Sequence, residues 1–280
     1  MRFQTVHYKM RDSADARHFS MEPEPQIVTP PPISETERPH RKLLAPIWHT
    51  ILLIALLVGN SYFSARHLPG ATPAASQVSQ RVLIIQYAAT IGFEVFLFLL
   101  VWWGLRLRKT SMRELIGGRW NTPEHFLLDV ALAAGFWLVS LLVLAGVGYA
   151  LGLADPSQTK EIKKLAEVVA PQGGASVVIW ILLSTVAGLV EEILFRGYLQ
   201  RQIGALTGNI YVGLIVSAII FGSGHGYEGT RRMVLIAVYG ALFGILALGR
   251  KSLRPGMMAH AWHDAFAGIM LRVLSQKGAL

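Results

Sequence analysis

Glu191 and Glu192 stand side by side in GLVEEILFRGYLQ, at the end of an apolar run that begins near Ala175, and Arg196 follows them. Two adjacent carboxylates at membrane depth cost several kcal/mol unless they are paired or take part in chemistry. Farther along, two more apolar segments carry histidines: FGSGH, from Phe221 to His225, and HAWHD, from His260 to Asp264. Acids and histidines placed repeatedly at membrane depth read as an intramembrane enzyme.

The spacings divide the work. A helix advances about 100° per residue, so Glu192 and Arg196 share a face and can form a bidentate ion pair, with Glu191 pointing elsewhere. Glu192 and Arg196 then support the site, and Glu191 is the working acid or base. The structural alternative is a charge cluster where the helix meets water. His225 lies four residues after Phe221, among Gly222, Gly224 and Gly226, which allow close approach to a neighbouring helix. It can orient a water with Glu191 or bind a metal, or simply bond to a carbonyl at a helix end. His260 and Asp264 also share a face. The pair can donate to a developing oxyanion, the carboxylate can orient the imidazole, or both can form a clamp between helices. His263 falls about 60° off that face and reads as structural. Brought together, these groups form one polar cavity; kept apart, each is an isolated penalty.

The elements that must position them are membrane helices. Of the 280 residues, 52% are hydrophobic, which makes the bilayer the relevant solvent. The net charge of +9 does not mark a nucleic-acid binder, because the basic residues cluster at the ends of apolar runs, as at Arg106, Arg108 and Lys109. The absence of cysteine excludes disulfides, thiolate metal sites and a cysteine nucleophile. A span needs roughly 20 mostly apolar residues. Candidates are Ala45–Phe63, Val82–Leu105, Phe126–Leu151, Ser176–Leu199, Ile210–Phe221, Met233–Leu248 and Gly256–Leu274. The expected fold is therefore an all-α polytopic membrane protein with about seven transmembrane helices, six or eight being compatible. Its parts are a proline-rich, disordered or loosely ordered tail (1–44), N-terminal membrane helices (45–125) and a catalytic membrane domain (126–274). The Lys and Arg distribution favours a cytoplasmic N-terminus, and the basic segment Lys160–Val169 is expected on the membrane surface. Glu94, in IGFEVF, is one other deep carboxylate; it lines the cavity or pairs with an arginine, with a structural role expected. His125 and Asp129 are expected at the interface, with Trp102, Trp103, Trp120 and Tyr149 as interface anchors.

The order EExxxR (Glu191, Glu192, Arg196), FxxxH (Phe221, His225) and HxxxD (His260, Asp264) resembles the CPBP family of intramembrane proteases. These are the type II CAAX prenyl endopeptidases and bacteriocin-processing membrane proteases, including the bacterial Abi-type proteins. The resemblance spans roughly 126–274. It implies a helical endopeptidase acting on membrane-associated peptides or proteins, in which Glu191 activates water with His225 while His260 and Asp264 stabilise the oxyanion. Family members often carry Asn where Asp264 stands, and an ionised aspartate donates no hydrogen bond, so orienting His260 is its alternative role. A prenylated substrate does not follow. No cofactor is favoured; zinc is the alternative, with Glu191, His225 and His260 as its ligands. The expected setting is the bacterial cytoplasmic membrane, with lipid and a peptide substrate as partners. A non-catalytic immunity or regulatory scaffold and a proton-coupled transporter are the competing functions; a transporter more often shows inverted repeats, which are not evident here.

Overall fold

The structure, a computed structural model, describes residues 42–67 and 79–278. The tail expected over 1–44 lies outside the described residues except for its last three. Each of the seven apolar runs is helical, as α1 (Ile47–His67), α2 (Gln80–Leu107), α4 (Pro123–Ala150), α6 (Gly174–Glu191), α8 (Ile210–Ser223), α9 (Thr230–Arg250) and α10 (Arg254–Gln276). The short helices α3 (Met112–Ile116), α5 (Thr159–Val169) and α7 (Gln200–Thr207) complete the order, and no strand occurs among the described residues. Between α6 and α7 the chain winds as a π-helix over Glu192–Leu199.

Among the described residues five helical stretches are long and apolar enough to cross a membrane, one of them running unbroken over Gly174–Thr207. The expected count of seven is not reached on those grounds. Helix α8, with 14 residues, is too short, and α10 is long but carries Arg254, His260, His263, Asp264 and Arg272. Large apolar side chains such as Leu142 and Val178 remain exposed, 75% and 68%, on helices of this character. That surface suits lipid, where no hydrophobic penalty attaches to exposure.

The core that holds the site gathers Leu97, Val101 and Leu105 of α2 against Leu194, Tyr198 and Leu199 of the π segment, with Leu115 and Leu253 beside them. Several of the polar groups inside are matched. Gln202 accepts from Leu44 N–H at 2.7 Å and donates to the Ala45 carbonyl at 2.8 Å and to Thr50 Oγ1 at 3.1 Å. This ties the start of α1 to α7, as buried polar groups require. Asp129, expected at the interface, is instead buried: it accepts from Arg250 Nε and Trp120 Nε1, each at 2.8 Å. The pair joins α4 to the end of α9, so Trp120 is also a structural partner. The basic segment expected on the membrane surface forms α5, but its Leu165 and Val169 turn toward the cavity described next.

Candidate active site

The π segment starts where chemistry was expected. The N–H of Gln200 reaches back five residues to the Phe195 carbonyl, and all eight residues from Glu192 to Leu199 are buried. Such i→i+5 turns are rare and recur at functional sites. Glu192 and Arg196 do pair: Nη1 lies 2.9 Å from Oε1, with both side chains 1% exposed. The approach is an ion pair rather than an aligned hydrogen bond, since Arg196 Nη1 and Glu192 Oε2 have no hydrogen-bond partner among the described residues. Arg196 is held further by Nη2–H donation to the Gly240 carbonyl at 3.1 Å, and its guanidinium lies 4.4 Å from the centre of the Phe221 ring and 5.0 Å from that of Phe243.

Glu192 has a second partner that its spacing to Arg196 does not announce. His260 Nδ1 stands 3.2 Å from the same Oε1. A carboxylate only accepts, so Nδ1 carries the proton and donates. The imidazole is stacked on Phe243, with ring centres 5.1 Å apart, and is edge-on to Phe221. Its other nitrogen, Nε2, is then directed at two acids, with Glu191 Oε2 at 3.5 Å and Asp264 Oδ2 at 3.6 Å. One buried imidazole is thus anchored from behind by Glu192 and faces Glu191 and Asp264 in front.

Close helix approach makes this possible. A Cβ on Gly188 would stand 2.6 Å from the Ala261 backbone nitrogen, and one on Gly256 would stand 3.0 Å from Glu192 Oε2. Helices α6 and α10 therefore meet through glycines, in the small-residue mode of membrane packing. Trp180 of α6 adds a cross-link by donating its indole N–H to the Asp264 carbonyl at 3.0 Å.

His225 lies just past the end of α8, where its Nδ1 is 3.1 Å from the Phe221 carbonyl. A carbonyl also only accepts, so Nδ1 carries a hydrogen, and in the neutral ring the lone pair sits on Nε2. Glu191, His225, His260 and Asp264 line one cavity of about 360 Å³. His263 borders it too, with its ring 4.7 Å from that of Tyr239, as does Tyr227. The sequence reading overlooked Tyr227, although it follows His225 by two residues and its ring centre lies 6.1 Å from the imidazole. Glu94 opens onto an adjoining lobe with Glu191, and among the described residues no arginine lines that lobe.

A metal ligand would have to come from Nε2 of each imidazole, since both Nδ1 atoms are bonded to acceptors. Among the described residues no three His, Asp or Glu side chains converge as a metal-ligand group. His260 already gives Nδ1 to Glu192, and His225 gives its own Nδ1 to a backbone carbonyl.

The fold of the segment from α6 into α10 can now be set beside known proteins. Residues 173–266 match the family model described as Type II CAAX prenyl endopeptidase Rce1-like. The matched stretch holds Glu191, Glu192, Arg196, His225, His260 and Asp264, and leaves out Glu94. The family of that model is a protease family, and the matched stretch lies in a chain with several helices long and apolar enough to cross a membrane. No curated protein and no solved structure matches the chain.

Proposed function

We propose that this chain is an intramembrane endopeptidase that hydrolyses peptide bonds of membrane-associated peptides or proteins with water activated by Glu191. The observation that carries the reading is the placement of His260, with Nδ1 on buried Glu192 and Nε2 facing Glu191 and Asp264 across a cavity. Glu191 takes a proton from a water while the water oxygen attacks the scissile carbonyl carbon. His225, with its free Nε2 lone pair, accepts the water's other hydrogen as a hydrogen bond and aims it. The carbonyl oxygen becomes an oxyanion beside His260, whose Nε2–H donates to it, and Asp264 favours the charged imidazolium that does so. Collapse breaks the C–N bond, and the proton held by Glu191 passes to the leaving amine. Glu192 and Arg196 hold His260 in place and do not touch the reacting atoms.

The donor set supports a metal-independent route, since among the described residues no three His, Asp or Glu side chains converge as a metal-ligand group. Lysine and arginine at the helix ends support a cell-membrane location with the N-terminus cytoplasmic. The test is reconstitution of the purified chain in lipid discs with a library of hydrophobic peptides, read by mass spectrometry. New termini should arise with the wild-type chain and fall by at least about 100-fold with Glu191→Gln, while the variant unfolds at the wild-type temperature. A folded wild-type chain without products, or equal products from Glu191→Gln, refutes the proposal.

A further inference from the structure

The site has two adjoining lobes, each with a mixed polar and apolar lining. The one described above is walled by apolar side chains including Leu144, Leu235 and Leu271. A second lobe, about 250 Å³, adjoins it and shares Glu191, His225 and Asp264, but is lined by Asn60, Ser64, Gln86, Thr90, Ser184 and Glu94. These residues come from α1, α2 and α6, and all but Ser184 lie outside the family match.

Glu94 is the informative residue. It is 6% exposed, and its Oε2 has no hydrogen-bond partner among the described residues. The charged groups within electrostatic reach are Glu191, Asp264 and His260, so two of the three are acids. Among the described residues no lysine or arginine lines the lobe. A buried carboxylate in such surroundings is costly until a cation or a proton joins it.

The neighbouring hydroxyls say which kind of ligand fits. Thr90 donates its hydroxyl proton to the Gln86 carbonyl at 3.0 Å, and Ser184 donates its own to the Trp180 carbonyl at 2.9 Å. Both therefore have only lone pairs left to offer. The Glu94 carboxylate and these spent hydroxyls present acceptors, which suit ammonium and guanidinium groups, while the amides of Asn60 and Gln86 add donors as well as acceptors. With Glu94, Glu191 and Asp264 all lining it, the lobe favours a cation over an anion.

We propose that this lobe binds a cationic side chain of the peptide substrate, lysine or arginine, with Glu94 as its counter-ion, so that the enzyme selects hydrophobic peptides carrying a basic residue near the scissile bond. The proposal rests on the peptidase reading above and names its substrate class. Glu94 acts in selection, not in the bond-breaking step.

The experiment uses fluorescent hydrophobic decapeptides with one lysine walked through every position, and the same set with acetyl-lysine. Binding is measured on the full chain carrying Glu191→Gln, with and without Glu94→Gln, so the readout does not depend on cleavage. At one or two adjacent positions lysine should bind at least about tenfold more tightly than acetyl-lysine. Glu94→Gln should remove that difference while acetyl-lysine peptides bind as before, which also shows that the variant is folded. Should Glu94→Gln fail to fold, Gln86→Lys, which places a cation in the same lobe, should depress lysine binding alone. A lysine preference unchanged by Glu94→Gln, or no preference at any position, overturns the proposal. Cleavage with otherwise wild-type Glu191 separates the two ideas: if lysine peptides bind through Glu94 but are never cut, the peptidase reading fails and the cation site stands. If Glu94→Gln abolishes cleavage of lysine and acetyl-lysine peptides alike in a folded chain, Glu94 belongs to the proton chemistry and the cation site is wrong.

Discussion

One oxygen of Glu192 faces both Arg196 Nη1 at 2.9 Å and His260 Nδ1 at 3.2 Å, inside protein that excludes solvent from all three side chains. Removing its charge strands a buried guanidinium, and breaking a buried ion pair from one side costs about 3–5 kcal/mol. Glu192→Gln should therefore lower the unfolding temperature in detergent markedly, whereas Glu191→Gln, at a carboxylate lining the cavity and 17% exposed, should leave it within a degree or two. Equal unfolding temperatures for the two variants would contradict the division of labour. That division was legible in the sequence, because Glu192 and Arg196 are four apart and Glu191 is not in step with them. The Glu192–His260 bond was not legible: it joins residues 68 apart, and only the packing of α10 on α6 creates it. For Asp264 the sequence left two roles, stabilising the oxyanion with His260 or orienting that imidazole; the bond that anchors the ring comes from Glu192, and Asp264 stands at the opposite ring nitrogen.

Helices α6 and α10 must touch for that imidazole to reach both glutamates, and Gly188 sets their separation. The methyl of Gly188→Ala would sit 2.6 Å from the Ala261 nitrogen, so the helices must part. A misplacement on the order of 1 Å can lower turnover about 100-fold. Gly188→Ala should show that loss in the peptide assay, while Gly135→Ala in α4, where an added Cβ meets nothing within 4 Å, should cleave at the wild-type rate. Comparable rates for the two variants would refute the role given to the glycine contact. The apolar runs announced every long helix, since length and hydropathy are local properties. The π winding over Glu192–Leu199 was invisible, because an i→i+5 register is chosen by the surroundings of a segment buried on all sides. The short α3 escaped for the opposite reason: its five residues carry a Ser111–Glu114 capping box but too little apolar pattern to read. Asp129 looked interfacial from its position near a helix start; its partner Arg250 is 121 residues away.

Across the whole molecule, the family match at 173–266 covers the motifs but only part of the cavity wall. Helices α1 and α2 supply the lobe that holds Glu94, and α5 supplies Leu165 to the other lobe and Val169 to both. The motif order named residues that line the cavity, while the cavity's shape depends on helices that the motifs do not include. The central claim is that these residues split a peptide bond with a water activated by Glu191 and without a metal ion. It is tested most directly by measuring metal content and cleavage on the same purified sample in lipid discs, after exhaustive chelation. The account predicts undiminished cleavage at a metal content far below one ion per chain, lost on Glu191→Gln. Stoichiometric zinc whose removal abolishes cleavage and whose return restores it would contradict it.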